Sequence, residues 1–296
     1  MPSYLLYSTN IDQGSGNLGP AVLNQLLDAG FDVTVLSRQN SDKTFDPRAQ
    51  VAKVDYESLD SLKNALTGQD VVVSTLGVGA VPRDTHLRLV DAAVAAGVKR
   101  YIPSEYGCDT TNPQTAKLPV FGDKVAVQEH LKKANKESGL SYSLLITGPF
   151  LDWGLKVGFL LNLSGPVVTL YDGGERKFNV TTLADIGRGI AGIINNLPET
   201  ENKPIYISSA SVSQKQLLAL SGKRLETKTV PAIDLEKDAF AELSKPAPNP
   251  GVFVPLFIQR AIFGEGFGSQ FDSGKLFNES FGLKTVSDDQ IRGFFN

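Results

Sequence analysis

The alternation of short apolar runs with segments of helical spacing over residues 3–146 constrains the fold most strongly. The runs are SYLLYS (3–8), FDVTVLS (31–37), QVAKV (50–54), DVVVST (70–75), KRYIPS (99–104) and SYSLLI (141–146). Between them, apolar side chains recur every three or four residues, as at Leu59, Leu62 and Leu66. Apolar strands joined by helices form parallel sheets that helices cover on both faces. The pattern predicts an α/β fold with a Rossmann-like, doubly wound parallel sheet.

A glycine-rich loop separates the first apolar run from the first helical segment. It matches G-x-G-x-x-G with Gly14, Ser15, Gly16, Asn17, Leu18 and Gly19. Glycines at this spacing allow a tight turn and a close approach of a pyrophosphate to helix-terminal amides. A glycine-rich turn without a ligand is the alternative, but the position between a strand and an amphipathic helix argues against it. We expect these residues to bind a dinucleotide.

An acidic residue, Asp12, precedes this loop. An ionised carboxylate beside a pyrophosphate would be repelled. We expect the extra residues before Gly14 to bulge outward and to leave Asp12 in solvent. The alternative is a distorted first turn that binds the cofactor weakly.

The end of the second run indicates which dinucleotide is bound. NAD-binding chains carry an acid about 20 residues beyond the glycines, whereas an arginine accommodates the 2′-phosphate of NADP. This chain has Arg38 there, with Lys43 nearby, and we therefore expect NADP(H). A solvated surface arginine is the alternative. Thr75, Leu76 and Gly77 follow the fourth run at the same sheet edge and are expected to contact the central part of the cofactor.

Composition argues against several other functions. A net charge of -3 and a pI near 5.5 provide no basic field for nucleic acid. A single cysteine, Cys108, excludes an intramolecular disulfide, and two histidines, His86 and His130, are too few for a typical zinc site. The sequence has neither a signal-peptide pattern nor a long apolar segment. We expect a cytoplasmic protein with no metal, nucleic acid or membrane partner.

Several segments together resemble one known family. They are QGSGNLG (13–19), LSRQ (36–39), STLGVG (74–79), KRYIPSEYG (99–107) and FGDKVAVQEHLKK (121–133), and the likeness continues through 174–196 and 204–220. They are similar to the NmrA-like, isoflavone-reductase-like group of atypical short-chain dehydrogenases, particularly its fungal members. The family's glycine pattern is G-x-x-G-x-x-G, and here Gln13 stands at its first position.

The resemblance implies a catalytic lysine, which in this chain is Lys124. Hydride delivery to an electron-poor carbon creates or consumes a proton on the substrate oxygen, so a titratable group must lie within hydrogen-bond reach. Burial or the positive nicotinamide lowers the pKa of a lysine enough for this role. A surface lysine in the first turn of a helix is the alternative reading. The resemblance also implies that Phe150 lies near the nicotinamide, although core packing explains this residue equally well.

Other residues are less suited to catalysis. No tyrosine precedes a lysine by four residues in the segments that follow the strands, so the tyrosine mechanism of ordinary short-chain dehydrogenases is not expected. His130 lies six residues after Lys124 on another helix face and is interpreted as an ordinary helix residue. Cys108 is interpreted as a packed thiol.

The domain organisation follows from these assignments. We expect residues 1–150 to form the NADP-binding Rossmann domain, with residues 175–210 packing back onto it. Residues 151–174 and 211–296 are expected to form a smaller α+β substrate-binding lobe. Within it, residues 245–255 and 263–274 are rich in Gly, Pro and aromatics and are interpreted as irregular chain, either a lid over an aromatic substrate or surface decoration.

The sequence thus predicts an NADPH-dependent reductase of a small aromatic or conjugated secondary metabolite, acting as a monomer or homodimer. Two alternatives stay open. One is a regulator that senses a dinucleotide without turnover, and the other is an isomerase or dehydratase on the same fold.

Overall fold

The structure, a computed structural model, describes residues 3–7, 16–77 and 81–295. The strands in these ranges are β1 (Ser3–Tyr7), β2 (Asp32–Arg38), β3 (Gln50–Val54), β4 (Val71–Ser74), β5 (Arg100–Ile102), β6 (Ser141–Ile146), β7 (Val167–Tyr171), β8 (Phe178–Val180), β9 (Lys203–Tyr206), β10 (Ala210–Val212) and β11 (Glu226–Val230). The α-helices are α1 (Gly19–Asp28), α2 (Leu59–Leu66), α3 (Arg83–Ala96), α4 (Pro113–Ala116), α5 (Gly122–Ser138), α6 (Leu151–Lys156), α7 (Leu183–Asn195), α8 (Gln214–Leu220), α9 (Ala232–Leu243), α10 (Pro250–Phe263) and α11 (Asp288–Gly293).

The main sheet has the strand order β3-β2-β1-β4-β5-β6-β9. Strand β1 lies parallel to both β2 and β4, with Leu5 opposite Thr34 on one side and Val72 on the other. From β1, the strands β2 and β3 follow one another on one side of the sheet, and β4, β5, β6 and β9 follow on the other side. In doubly wound sheets, ligands bind beyond the carboxyl ends of the strands at such a reversal of strand order, which here lies between β1 and β4. The doubly wound Rossmann-like fold is confirmed.

Helices α2, α3 and α5 cover one face of this sheet. Their apolar side chains share a buried cluster with strand residues, including Leu36, Val72 and Tyr101. Helix α1 packs closely against α7, which the absence of a side chain at Gly187 allows. A Cβ on Gly187 would lie 2.7 Å from the Gln25 side chain and 3.1 Å from the carbonyl oxygen of Ala21. The buried cluster holds α3 and α5, which carry the side chains discussed below, against the sheet.

The chain divides into two compact units. The first unit comprises residues 1–105, 123–145 and 186–205 and contains most of the main sheet. The second unit comprises residues 106–122, 146–185 and 206–296, and it equals the first in residue number. It contains two small sheets, with β8 antiparallel to β10 and β7 parallel to β11. The expected division into cofactor and substrate domains stays a prediction.

Part of the second unit is more regular than expected. Residues 250–255, interpreted from sequence as irregular, form the first turns of α10. The side chain of Asn249 accepts a hydrogen bond from the Gly251 amide, and Pro250 occupies the first turn, where a missing amide costs nothing. Pro255 lies inside the helix, so the proline content concealed a helical segment that buries Phe257 and Ala261.

Within residues 16–77 and 81–295, no helix is long and apolar enough to cross a membrane. Over the same residues, no group of three or more His, Cys, Asp or Glu side chains is placed to hold a metal ion.

Candidate cofactor and proton-transfer site

The amino terminus of α1 is suited to an anion. Leu18 precedes the helix and provides no side-chain cap, and the first turn contains no acidic residue. By contrast, Ser213 caps α8 with its hydroxyl, and Ser287 caps α11 in a capping box. Uncapped amides and the positive end of the helix dipole favour a bound phosphate.

The expected pyrophosphate loop is described only in part. Gly16 is half-buried, Asn17 is exposed, and Leu18 and Gly19 are buried. Gly14 and Ser15 lie outside the described residues, as do Asp12 and Gln13, so the outward bulge around Asp12 stays a prediction.

Positive side chains lie at the ends of β2 and β3. Arg38 is the last residue of β2 and is half-buried. Lys53 on β3 stands opposite Ser37, and its amine donates to the Ser41 carbonyl and lies 3.4 Å from the Ser37 hydroxyl. Lys43 is exposed in the connection that follows. The two strand ends thus bring a second cation, Lys53, to the edge where Arg38 was expected to bind a phosphate.

Sequence reasoning missed Lys53, although its position provides a signal. A lysine one residue before the end of a predicted strand lies near the carboxyl edge of a parallel sheet, where ligands bind.

A pocket lies beyond the carboxyl ends of β4 and β5, within the first unit. Its lining residues are Ser74, Leu76, His86, Tyr101, Pro103, Ser104, Glu105, Asp123, Lys124 and Val127. Thr75 is half-buried beside it, Gly77 is exposed, and residues 78–80 lie outside the described part of the chain. The pocket therefore brings Leu76 from the loop after β4 together with Lys124 from α5.

Lys124 is the third residue of α5 and is half-buried. Its amine donates a 2.7 Å hydrogen bond to the carbonyl oxygen of Glu105. Glu105 is 1% exposed, and its carboxylate accepts a 3.0 Å hydrogen bond from the side-chain amide of Gln128. Gln128 lies one helical turn beyond Lys124. One face of α5 therefore carries both the Lys124 amine and the side-chain amide that holds the Glu105 carboxylate.

A family model described as the NmrA-like family matches residues 11–255. The chain belongs to the NmrA-like family. Oxidoreductase aprR of Aspergillus flavus is 30% identical over 283 residues, which cover 93% of this chain and 94% of that protein. The isoflavone reductase homolog IRL of Zea mays is 31% identical over 287 residues, which cover 88% of each chain.

A solved structure of AtPrR2 with NADP+ and (+)-pinoresinol matches the fold of this NmrA-like chain. Its TM-score is 0.78 at 23% identity, and the match covers 100% of this chain and 99% of that one. The family resemblance and the fold expected from sequence are confirmed. The relatives are named oxidoreductases and reductases, which confirms the expected enzyme class.

Two further ionisable groups of the NmrA-like chain face the pocket. Asp123 accepts a 2.7 Å ion-pair contact from Arg83. His86 is half-buried, and burial lowers the pKa of its imidazole; nearby Asp123 raises that pKa and Lys124 lowers it. Burial therefore favours the neutral form of the imidazole. Sequence reasoning counted His86 only as a possible metal ligand, because helical spacing on α3 does not reveal which residues of α5 lie opposite.

Tyr101 is a pocket residue of a different kind. It is 1% exposed, and burial raises the pKa of its phenol. A phenol with a raised pKa stays protonated at pH 7, so it is unsuited to act as the base.

The remaining residues singled out from sequence lie elsewhere. Phe150 belongs to the second unit, where it precedes α6 and packs edge-on against Trp153 with ring centroids 6.3 Å apart. Its placement beside a nicotinamide stays a prediction. Cys108 is also in the second unit and is buried, with its sulfur 3.9 Å from the Ile258 carbonyl oxygen. His130 contacts Asp91 at 2.6 Å and does not line the pocket.

Proposed function

We propose that this chain is an NADPH-dependent reductase of a small aromatic or conjugated secondary metabolite, and that Lys124 transfers the proton. One observation carries the proposal. The Lys124 amine is held 2.7 Å from the Glu105 carbonyl in a pocket at the sheet edge where ligands of this fold bind. An isolated surface lysine would not be oriented in this way.

The described residues fit an NADP(H) cofactor. The uncapped start of α1 offers amides and a positive dipole to the pyrophosphate, for which Gly14, Ser15 and the residues 16–19 are proposed as the binding loop. Arg38, with Lys53 beside it, fits the extra 2′-phosphate that distinguishes NADPH from NADH. A related fold has been solved with NADP+, which supports the same choice.

Lys124 has the chemistry that a reduction requires. NADPH, when bound, supplies a hydride to an electron-poor carbon of the substrate. The Lys124 ammonium donates a proton to the substrate oxygen on which negative charge develops, and the Glu105 carbonyl fixes the direction of the amine. Leu76 and Val127 provide apolar walls that limit water around this exchange.

Within this proposal, the first unit is the cofactor domain and substrate selection belongs to the second unit. The second unit contains several aromatic pairs, of which Tyr171 and Phe263 stack with ring centroids 5.1 Å apart. The proposed aromatic substrate class rests instead on the relatives, which include an isoflavone reductase homolog.

The decisive test is NADPH consumption with chalcone, a conjugated ketone, and (+)-pinoresinol, a benzylic ether, by the wild type and by Lys124→Met. We expect the variant to lose about 100-fold or more of the turnover rate while its dissociation constant for NADPH is unchanged. Lys132→Met is the matched control, because Lys132 lies on the same helix and pairs with Glu129 at the surface.

Two results would contradict the proposal. A Lys124→Met variant that turns over at the wild-type rate excludes Lys124 as the proton donor. A wild type that binds NADPH but consumes none with either substrate favours the dinucleotide-sensing alternative.

A further inference from the structure

We propose that His86 is a second proton-transfer group of this site and carries protons between solvent and the amine of Lys124. This inference rests on the proposed reductase function and deepens it. Each reduction removes one proton from the Lys124 ammonium, and a half-buried amine needs a route by which that proton returns.

The position of His86 suits such a route. It is the fourth residue of α3, it lines the same pocket as Lys124, and it is half-buried rather than enclosed. Among residues 16–77 and 81–295, no group hydrogen-bonds to its ring. Both ring nitrogens are therefore available to accept or donate a proton.

The charged groups around His86 come from each element that lines the pocket. Asp123 and Lys124 lie on α5, Glu105 follows β5, and Arg83 is on the same helix as His86. Asp123 is paired with Arg83. The opposing effects of Asp123 and Lys124 on the pKa of His86 show that the imidazole senses both side chains.

The other ionisable groups of the pocket are less suited to the role. The Asp123 carboxylate is engaged by Arg83, and the Glu105 carboxylate accepts a hydrogen bond from Gln128. Tyr101 is fully buried and retains its proton. A neutral imidazole is different, because it accepts a proton on one nitrogen while it donates one from the other.

The proton balance is simple. An N–H bond of the Lys124 ammonium breaks as the O–H bond of the product forms. A water molecule between the two side chains then gives a proton to the neutral Lys124 amine and takes one from an N–H of the His86 ring. A hydronium ion protonates the other ring nitrogen, and proton exchange with water restores the starting tautomer, so each turnover takes one proton from solvent.

The first experiment needs no substrate. The chain has two histidines, so His130→Gln leaves His86 as the sole imidazole, whose pKa is measured by NMR of a 13C label in the ring. In this background, Lys124→Met is expected to raise the pKa of His86 by roughly half a unit or more, and Asp123→Asn to lower it. A pKa that neither substitution changes overturns the proposal.

The second experiment measures turnover with chalcone or (+)-pinoresinol. His86→Ala is expected to lower kcat about tenfold with NADPH affinity unchanged, and added imidazole should restore part of the loss. His130→Gln should match the wild type. A purely structural role for His86 would not be rescued by imidazole.

The two levels of the proposal fail differently. If the wild type reduces substrate and His86→Ala does so equally fast, the role of His86 is wrong and the reductase function stands. If the wild type binds no NADPH, the reductase function is wrong, and the relay is overturned with it even where the NMR coupling is found.

Discussion

Strand β5 has a buried ionisable residue at its start and another just beyond its end, and the two surroundings differ. Arg100 opens the strand and is 2% exposed, and Glu105 follows it and is 1% exposed. The Arg100 guanidinium is surrounded by acceptors from neighbouring elements. They are Ser141 Oγ at 2.7 Å, Ser143 Oγ at 2.8 Å, Thr200 Oγ1 at 3.0 Å and the Leu197 carbonyl oxygen at 2.7 Å.

At the other end, the polar groups face a pocket. Glu105 orients Lys124 through its carbonyl, and His86 lies nearby with no hydrogen bond to its ring among the described residues. The amino edge of the sheet thus uses a buried charge to join β5, β6 and the segment after α7, whereas the polar groups at the carboxyl edge line a pocket. Substitutions at the first edge should reduce stability, and substitutions at the second should reduce affinity or turnover.

The largest effect is expected from Arg100→Met. Removal of the guanidinium takes away four hydrogen bonds from a buried charged donor, and we expect the free energy of unfolding to fall by about 3 kcal/mol. Urea denaturation measures it. Arg48→Met, at an exposed ion pair that solvent screens, should lower the free energy of unfolding far less. Equal losses of stability for Arg100→Met and Arg48→Met would contradict the stabilising role of Arg100 at the amino edge.

Arg38→Ala should weaken NADPH binding about 10- to 100-fold and leave NADH binding unchanged, because only NADPH carries the 2′-phosphate. Fluorescence titration with both dinucleotides measures this. Arg48→Ala is the matched control, since Arg48 follows β2 in sequence but pairs with Asp46 and Asp28. An equal loss of affinity for NADPH and NADH would show that Arg38 does not bind the 2′-phosphate.

Gln128→Leu tests the support of the carboxyl edge. The buried Glu105 carboxylate loses one donor, so we expect the free energy of unfolding to fall by about 1 kcal/mol and kcat to fall a few-fold as Lys124 loses its orientation. Thermal unfolding and NADPH consumption measure the two effects. Glu129→Leu, at the exposed neighbouring position, should change neither. A loss of stability without any change in kcat would show that Glu105 does not orient Lys124 for proton transfer.

The smallest effect concerns pH. Burial lowers the pKa of His86 below its ordinary 6.5, so in the window just below pH 6.5 the unfolded chain binds a proton that the folded chain does not. The free energy of unfolding is therefore not reduced by His86 above pH 6.5, and it decreases as the pH falls below that value. His86→Gln should reduce the slope of stability against pH by less than about 1.4 kcal/mol per unit. An unchanged slope in urea titrations would contradict the shifted pKa.

Most of the main sheet could be predicted from sequence. The six expected strands form with ends that differ by no more than two residues, and QVAKV (50–54) and SYSLLI (141–146) match the observed strands. Strands such as Val71–Ser74 are buried on both faces, so their apolar runs are continuous and easily recognised.

Other elements could not be predicted. Strand β11 is mostly exposed and reads ETKTV, with no apolar run, and it forms because it pairs with β7 some sixty residues earlier in the chain. The pocket shows the same limit. The motif around Lys124 was visible in the sequence, but His86 joins it only through the packing of α3 beside α5, which local spacing does not encode.

The most direct test of the central claim is hydrogen–deuterium exchange measured with and without NADP+. We expect protection in peptides covering residues 16–20, 38–43, 75–77 and 103–105, at the carboxyl edge of the sheet, and none in residues 139–143 and 197–203 at the amino edge. Protection confined to the amino edge, or no change at either edge at saturating NADP+, would contradict the assignment of cofactor binding and proton transfer to the pocket of Lys124.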